Sequence, residues 1–331
     1  MQTATLERSG DTLALTAGPL QVELCASDAE LRDAALQSLE LFGVHWAPPY
    51  RRVRIRLDRR AVDKRAGGSF LTCARMNVDA SEALVFASTM SGICTIGFSL
   101  QHLDTWQISA PWTAFTEPVV GDIEDLLGLA LTFGWRREGW VPVHAAAVEK
   151  DGRCLILCAP SGGGKSTMTT ALMRNGWHTL GDDKLLLRCD GATPSLHALL
   201  ATFNLHPQTT RWFSEIGDLE DLQRYSAWTD KRRVSVDRIA PGASALRARP
   251  THLVRLSRNP GGSGIAVSPL RKEDLLATLL RQIVVPRRPE VARQIVATAA
   301  ATAAVMTGLD IAVGDDAYGD SAWLRKIERA L

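Results

Sequence analysis

The chain has 331 residues, 46% of them hydrophobic and 22% charged, which suffices for one large or two ordinary domains with a full apolar core. Its 38 Lys and Arg against 36 Asp and Glu leave a formal net charge of +2, a balance that argues against a dedicated nucleic-acid binder. Six scattered cysteines without a C-x-x-C pair exclude a disulfide framework and a zinc site and point to a reducing cytoplasm, and the N-terminal stretch shows no apolar secretory segment.

Leu15 to Leu20 reads as an opening strand. Ser27 and Glu30 make a capping box ahead of Leu31, Leu36, Leu39 and Phe42, which predicts a helix over 27–42 closed by Gly43. Arg52 to Leu57 alternates with period two, so Arg52, Arg54 and Arg56 share a strand face, either solvated or set for an acidic partner. Further strands are predicted at 69–76, 83–88, 93–100 and 105–109. The uncharged run Ala83–Leu103 is long enough to span a bilayer. Its Ser, Thr, Gly, Gln and His content reads instead as two strands around Met90-Ser91-Gly92, and no membrane association is expected. A helix over 121–134 follows the stretch Pro111 to Pro118. The domain boundary is put there, giving a β-rich α+β substrate or assembly domain over 1–120 and a catalytic domain over 121–331.

From Val141 onward strand, loop and helix succeed one another, which is α/β organisation. Strands are predicted near 196–204 and at His252–Leu256, and a helix near 218–227. The end of the chain reads as helices over 271–283, 289–306 and 319–330 with a short strand at Leu309–Val313.

The informative segment is Ala159-Pro160-Ser161-Gly162-Gly163-Gly164-Lys165-Ser166-Thr167, set between the apolar run Cys154–Cys158 and a helical stretch. Three glycines let successive backbone N–H groups curl inward as a nest for phosphate oxygens at a helix N-terminus. Lys165 would then reach the β- and γ-phosphates, and the Ser166 hydroxyl would ligate Mg²⁺. The first position is Ala where the strict phosphate-loop string has Gly. An ordinary glycine-rich turn is the competing reading.

A helix over 165–175 rises ~16 Å, Asn175-Gly176 stops it, and five extended residues return ~16 Å, which brings Asp182 and Asp183 level with the phosphates. One carboxylate there could serve the Mg²⁺ shell and the other could take a proton from a hydroxyl; alone, the pair would only start a turn. Asp151-Gly152 is a two-residue hairpin signal. If Lys150 faces Arg153, His144 lies opposite Ala159. Lys231-Arg232-Arg233 is a compact cationic cluster, read either as a clamp on phosphate or acidic substrate or as a solvated loop. Cys154 and Cys158 share a strand face and are assigned to packing.

Val143-His144-Ala145-Ala146-Ala147-Val148, the loop Ala159–Ser166, Arg174-Asn175-Gly176-Trp177 and Gly181-Asp182-Asp183 resemble the catalytic domain of HPr kinase/phosphorylase, and more closely the bacterial HPr-kinase-related kinases of the "kinase A" group. The resemblance is strong over 141–188. It implies an HPr kinase/PEP carboxykinase-like catalytic fold, ATP and Mg²⁺ as cofactors, and a homo-oligomer. It also implies roles for single residues: Lys165 and Ser166 as phosphate and Mg²⁺ contacts, Asp183 as general base and His144 as an active-site histidine. Two departures stand out. Thr167 occupies a position where HPr kinases commonly have Glu, and no later Glu-x-Arg-Gly-x-Gly segment is found, so neither phosphorylase activity nor HPr as substrate is expected.

The expectation is therefore a cytoplasmic bacterial kinase that transfers the γ-phosphoryl group of ATP to a hydroxyl, a serine of a protein or peptide. Relatives of this type occur near peptide-modification genes, which favours a peptide. An NTP-hydrolysing switch, a small-molecule hydroxyl kinase and a peptide-binding protein with a structural nucleotide are the alternatives.

Overall fold

The computed structural model describes residues 7–9, 12–39, 51–59, 69–73, 76–80, 84–89, 95–99, 105–109, 117–199, 202–226, 229–286, 288–319 and 321–331. The chain divides into two units, one built from Met1–Glu138 with Ser226–Trp228, the other from Gly139–Tyr225 and Thr229–Leu331. Among the described residues, no helix is long and apolar enough to cross a membrane.

In the first unit β1 (Glu7–Ser9), β2 (Thr12–Ala17), β3 (Leu20–Ala26), β4 (Arg51–Asp58), β5 (Ser69–Cys73), β6 (Met76–Ala80), β7 (Leu84–Thr89), β8 (Thr95–Ser99) and β9 (Thr105–Ser109) form one sheet in the order β1-β2-β3-β4-β9-β8-β7-β6-β5. Parallel pairing of β4 with both β3 and β9 needs crossovers, and α1 (Ala29–Leu39) supplies the first. Val53, Ile55 and Leu57 are buried while Arg52, Arg54 and Arg56 are exposed, the face division expected of a period-two strand.

Several boundaries differ from expectation for local reasons. Gly18, at φ 59°, turns the chain between β2 and β3, so Leu15–Leu20 is not one strand. Asp28, not Ser27, caps α1: its Oδ1 accepts the Leu31 N–H at 3.0 Å. Arg59 holds the same carboxylate and keeps its pKa well below the usual range. The end expected at Gly43 and the turn at Met90-Ser91-Gly92 lie outside the described residues. The single strand expected over 69–76 is instead the hairpin β5–β6. The expected 121–134 helix is α2 (Glu117–Arg137), which buries Ile123, Leu126, Leu127, Ala130, Leu131 and Trp135 and packs on α1. Trp135 Nε1 donates to Ala17 O at 2.9 Å, so α2 goes with the first unit and the division falls after Glu138 rather than at 120.

The second unit opens with β10 (Val141–Val143), β11 (Ala146–Lys150), β12 (Arg153–Cys158), α3 (Lys165–Met173), β13 (His178–Gly181), β14 (Leu185–Asp190) and β15 (Thr193–Ala198). It continues through β16 (Thr202–Leu205), β17 (Arg224–Ser226), β18 (Thr229–Ser235), α4 (Val236–Ile239), β19 (Arg247–Ala248), β20 (His252–Arg258) and β21 (Ile265–Leu270). It ends with α5 (Lys272–Leu280), α6 (Pro289–Ala304), β22 (Thr307–Val313) and α7 (Ala322–Ala330). A six-stranded sheet runs β13-β11-β12-β20-β22-β21, with β12, β20 and β22 parallel; the others are β10-β14-β15-β19 and β16-β18-β17. Leu155, Leu157, Met168, Leu172, Trp177 and Val254 belong to the core beside α3. Of the helix expected over 218–227, residue 227 lies outside the described residues, and no α-helix forms over 218–226. Gly217, at φ 78°, closes a 3₁₀ turn at Ser214–Ile216, and Asp218 Oδ1 accepts the Glu220 N–H at 2.9 Å, a local turn that competes with helix.

Candidate phosphate-transfer site

Asp151 (φ 51°) and Gly152 (φ 77°) form the tight turn between β11 and β12, and the ladder pairs Lys150 with Arg153 and Ala146 with Leu157. That is the register expected from the turn. Continued past the end of β11, it carries His144 to Ala159, and Lys165 bridges the two: Nζ lies 3.1 Å from His144 Nε2 and donates to Ala159 O at 3.0 Å. The His144 N–H donates to Gln282 O at 2.8 Å, just beyond α5, which fixes its backbone.

Between β12 and α3 the loop turns at Gly162 (φ 75°) and Gly164 (φ 93°), with the Gly163 N–H donating to Pro160 O at 3.0 Å. A Cβ at 163 would sit 2.7 Å from Ala159 Cβ, so the methyl at the first loop position occupies the space a side chain at 163 would need. Pro160, Ser161 and Gly162 form the exposed rim, and Ser166 and Thr167 are half-buried in the first turn of α3. Gly164 caps α3 with no side-chain hydrogen bond, which leaves first-turn donors for an anion.

Gly176 (φ 81°) ends α3, Trp177 is buried, and β13 returns antiparallel to β11 as the count of residues required. A bulge shifts the register between Ala147/Val148 and β13, with Gly181 at φ 146°, immediately before the two aspartates. Bulges re-aim the side chains that follow them. Asp182 becomes 2% exposed, its Oδ2 meeting the Asn204 N–H at 3.4 Å, and the nearby Ser166 hydroxyl acts to lower its pKa. Its Oδ1 is buried with no hydrogen-bond partner among the described residues. Asp183 stays partly open, with Oδ1 3.5 Å from His144 Nε2.

Burial, then the neighbouring Asp183 charge, pushes the Asp182 pKa up to about 6. Desolvation also lowers the pKa of Lys165 and of His144, with Asp183 opposing in both cases. His144 Nε2 serves one neighbour at a time: it accepts from Lys165 only when unprotonated and donates to Asp183 only when protonated.

The three cationic residues do not form one cluster. Strand alternation in β18 turns Arg232 to the buried face, where Nη2 pairs with Glu220 at 2.9 Å, and puts Lys231 and Arg233 on the other. Arg233 lies over the Tyr225 ring at 5.8 Å. The Lys231 charge contributes to the lowered pKa of His144 and Lys165 and acts against the rise at Asp182. Lys184 acts on His144 in the same sense. Cys154 and Cys158 are buried, with thiols pushed up to about 12 by desolvation, as a packing role requires.

Among the described residues, no group of three or more His, Cys, Asp or Glu is arranged to hold a metal by itself. Ser166 and the orphaned oxygen of Asp182 fit a Mg²⁺ ion, which typically takes one or two protein ligands and completes its shell with phosphate and water. Asn204, Gln282 and Lys184 are the residues the motif left out. The scarcity of lysine was a usable signal, because three of the chain's seven, Lys165, Lys184 and Lys231, act on His144.

The arrangement is a strand, a glycine loop and a helix. Residues 129–205, which span His144, the loop, both aspartates and Asn204, match the family described as "SynChlorMet cassette protein ScmC"; that stretch is less than a quarter of the chain. No curated protein matches. Among solved structures, the Hpr(Ser) kinase/phosphatase from Coxiella burnetii is similar with a TM-score of 0.31 and 8% identity, over 57% of this chain and 97% of that one.

Proposed function

We propose that the protein is an ATP- and Mg²⁺-dependent kinase that phosphorylates a hydroxyl, the serine of a protein or peptide. The observation that carries this reading is the meeting, at the uncapped N-terminus of α3, of Lys165 with His144 and Asp183. The motif resemblance to HPr-kinase-like enzymes, carried by the same residues, supports it. The first-turn N–H groups of α3 bind the terminal phosphates, and Lys165 offsets the charge that develops on them. The acceptor oxygen bonds to the γ-phosphorus, the bond to the β–γ bridging oxygen breaks, and ADP leaves with that electron pair. Asp183 takes the hydroxyl proton. His144 then orients Asp183 once Lys165 has turned to phosphate, since its Nε2 is released from the lysine. Ser166 and Asp182 would hold Mg²⁺, which supplies further charge neutralisation.

Labelled ATP offered with proteins and peptides of the same organism tests the reading. Transfer by the wild type is expected, with Asp183→Asn keeping ATP affinity and losing transfer by about 10²-fold or more. Free phosphate released at equal rates with and without acceptors would establish a hydrolase instead.

A further inference from the structure

β16 and β18 pair antiparallel, with Asn204 opposite Arg233 and Leu205 opposite Arg232. Residues directly opposite share a face, so Phe203, Leu205, Arg232 and Val234 lie on the side that is buried. Asn204 and Arg233, with Lys231 two residues before Arg233, lie on the other. The Asn204 N–H reaches Asp182, which ties this small sheet directly to the candidate transfer site. Lys231 is half-buried and makes no ion pair among the described residues. Most other cations near it are engaged: Arg232 by Glu220, Arg224 by Asp230, and Arg233 by the Tyr225 ring and carbonyl. A half-buried ammonium with no carboxylate in ion-pair contact among the described residues, and only the longer-range charge of Asp182 acting on it, leaves room for an anion from the ligand. Lys184, the residue after the general base, adds a second positive charge that acts on His144.

We infer that the polar face of the β16–β18 sheet, with Lys231 just past its Leu205–Arg232 end and Lys184 following Asp183, receives the acceptor, and that the acceptor is an acidic peptide whose carboxylates flank the serine. The inference rests on the kinase reading and deepens it. Nucleotide phosphates have their own donors in Lys165 and the α3 N-terminus. Lys231 stands on a different element and answers a different charge. A lysine suits this task, being a point charge on a flexible stem that follows side chains of varied position.

The probe is a set of serine-centred peptides flanked by glutamate, by alanine or by lysine, assayed with the full chain, Mg²⁺ and labelled ATP. The glutamate set should have a KM about five- to tenfold below the alanine set, a margin that shrinks at high salt. Lys231→Glu should reverse the order and favour the lysine set. Lys231→Gln, a milder change followed by thermal melting to confirm folding, should raise the KM of the glutamate set to that of the alanine set and so erase the preference. A loss of kcat that is equal for all three sets would make Lys231 a cation for the transferring phosphoryl group and overturn the inference. Equal transfer to all three sets by the wild type would overturn it too while leaving the kinase reading intact. Transfer to none of them, or to any protein, with ATP bound would overturn both.

Discussion

Asp182 carries a buried oxygen without a hydrogen-bond partner among the described residues, and its burial has a measurable cost. Its pKa rises from the ordinary 3.8 to about 6, so between those values the folded protein holds a proton that the unfolded chain has released. Stability of the ligand-free protein therefore falls as pH rises through that window, by up to about 3 kcal/mol. Asp182→Asn should remove this contribution: urea unfolding at about pH 4 and pH 7 is expected to show the variant gaining on the wild type at the higher pH. Adding Mg²⁺ with ATP should reverse the comparison, because the ion takes the charge that burial penalises. At this scale the sequence was informative where chemistry is local. Lys165, Ser166 and the aspartate pair follow from a string and a helix-length count, and His144 from one hairpin register. The split of Lys231 from Arg232 was not legible, because nothing in that basic run announces a strand, and only a strand sends neighbours to opposite faces.

The elements that carry the site are short, and their ends are set by backbone geometry more than by propensity. Gly176 stops α3 and the bulge at Gly181 aims the aspartates. Period-two and helical patterns announced α5, α6, α7 and β22 within a few residues, whereas the 218–227 region alternates apolar and acidic residues like a helix and is undone by one Asp turn. The capping box at Ser27 failed for a related reason: Asp28 is the stronger acceptor, and Arg59, distant in sequence, holds it in place. α7 offers the sharpest test of packing. It buries Trp323 and Ile327, with Trp323 edge-on to Tyr318 at 5.6 Å, and Lys326 Nζ donates to Ile265 O at 2.9 Å. Trp323→Ala should cost about 3–5 kcal/mol, read as a lower urea midpoint, and Trp323→Phe should recover much of it.

Across the whole molecule the two units have separate cores, Leu20, Leu24, Leu31, Leu39, Ile55 and Ile96 in one and the α3-centred cluster in the other. A fragment of Gly139–Leu331 is accordingly expected to unfold in one cooperative transition and to retain affinity for Mg²⁺ and ATP, as calorimetry and titration would show. The strand order of the six-stranded sheet was beyond the sequence, because β20 and β22 are joined to β12 by pairings between distant residues that no local pattern encodes. That distance has a temporal meaning. His144, the glycine loop and Asp183 are made consecutively, and the hairpin and α3 can close over nearby contacts. The other flank of β12 is not filled until Thr251 arrives, 97 residues after Cys154. During synthesis the strand beneath the loop thus spends a long interval with a bare hydrogen-bonding edge. The nascent chain is most exposed to mispairing with its neighbours while its chemistry is already spelled out.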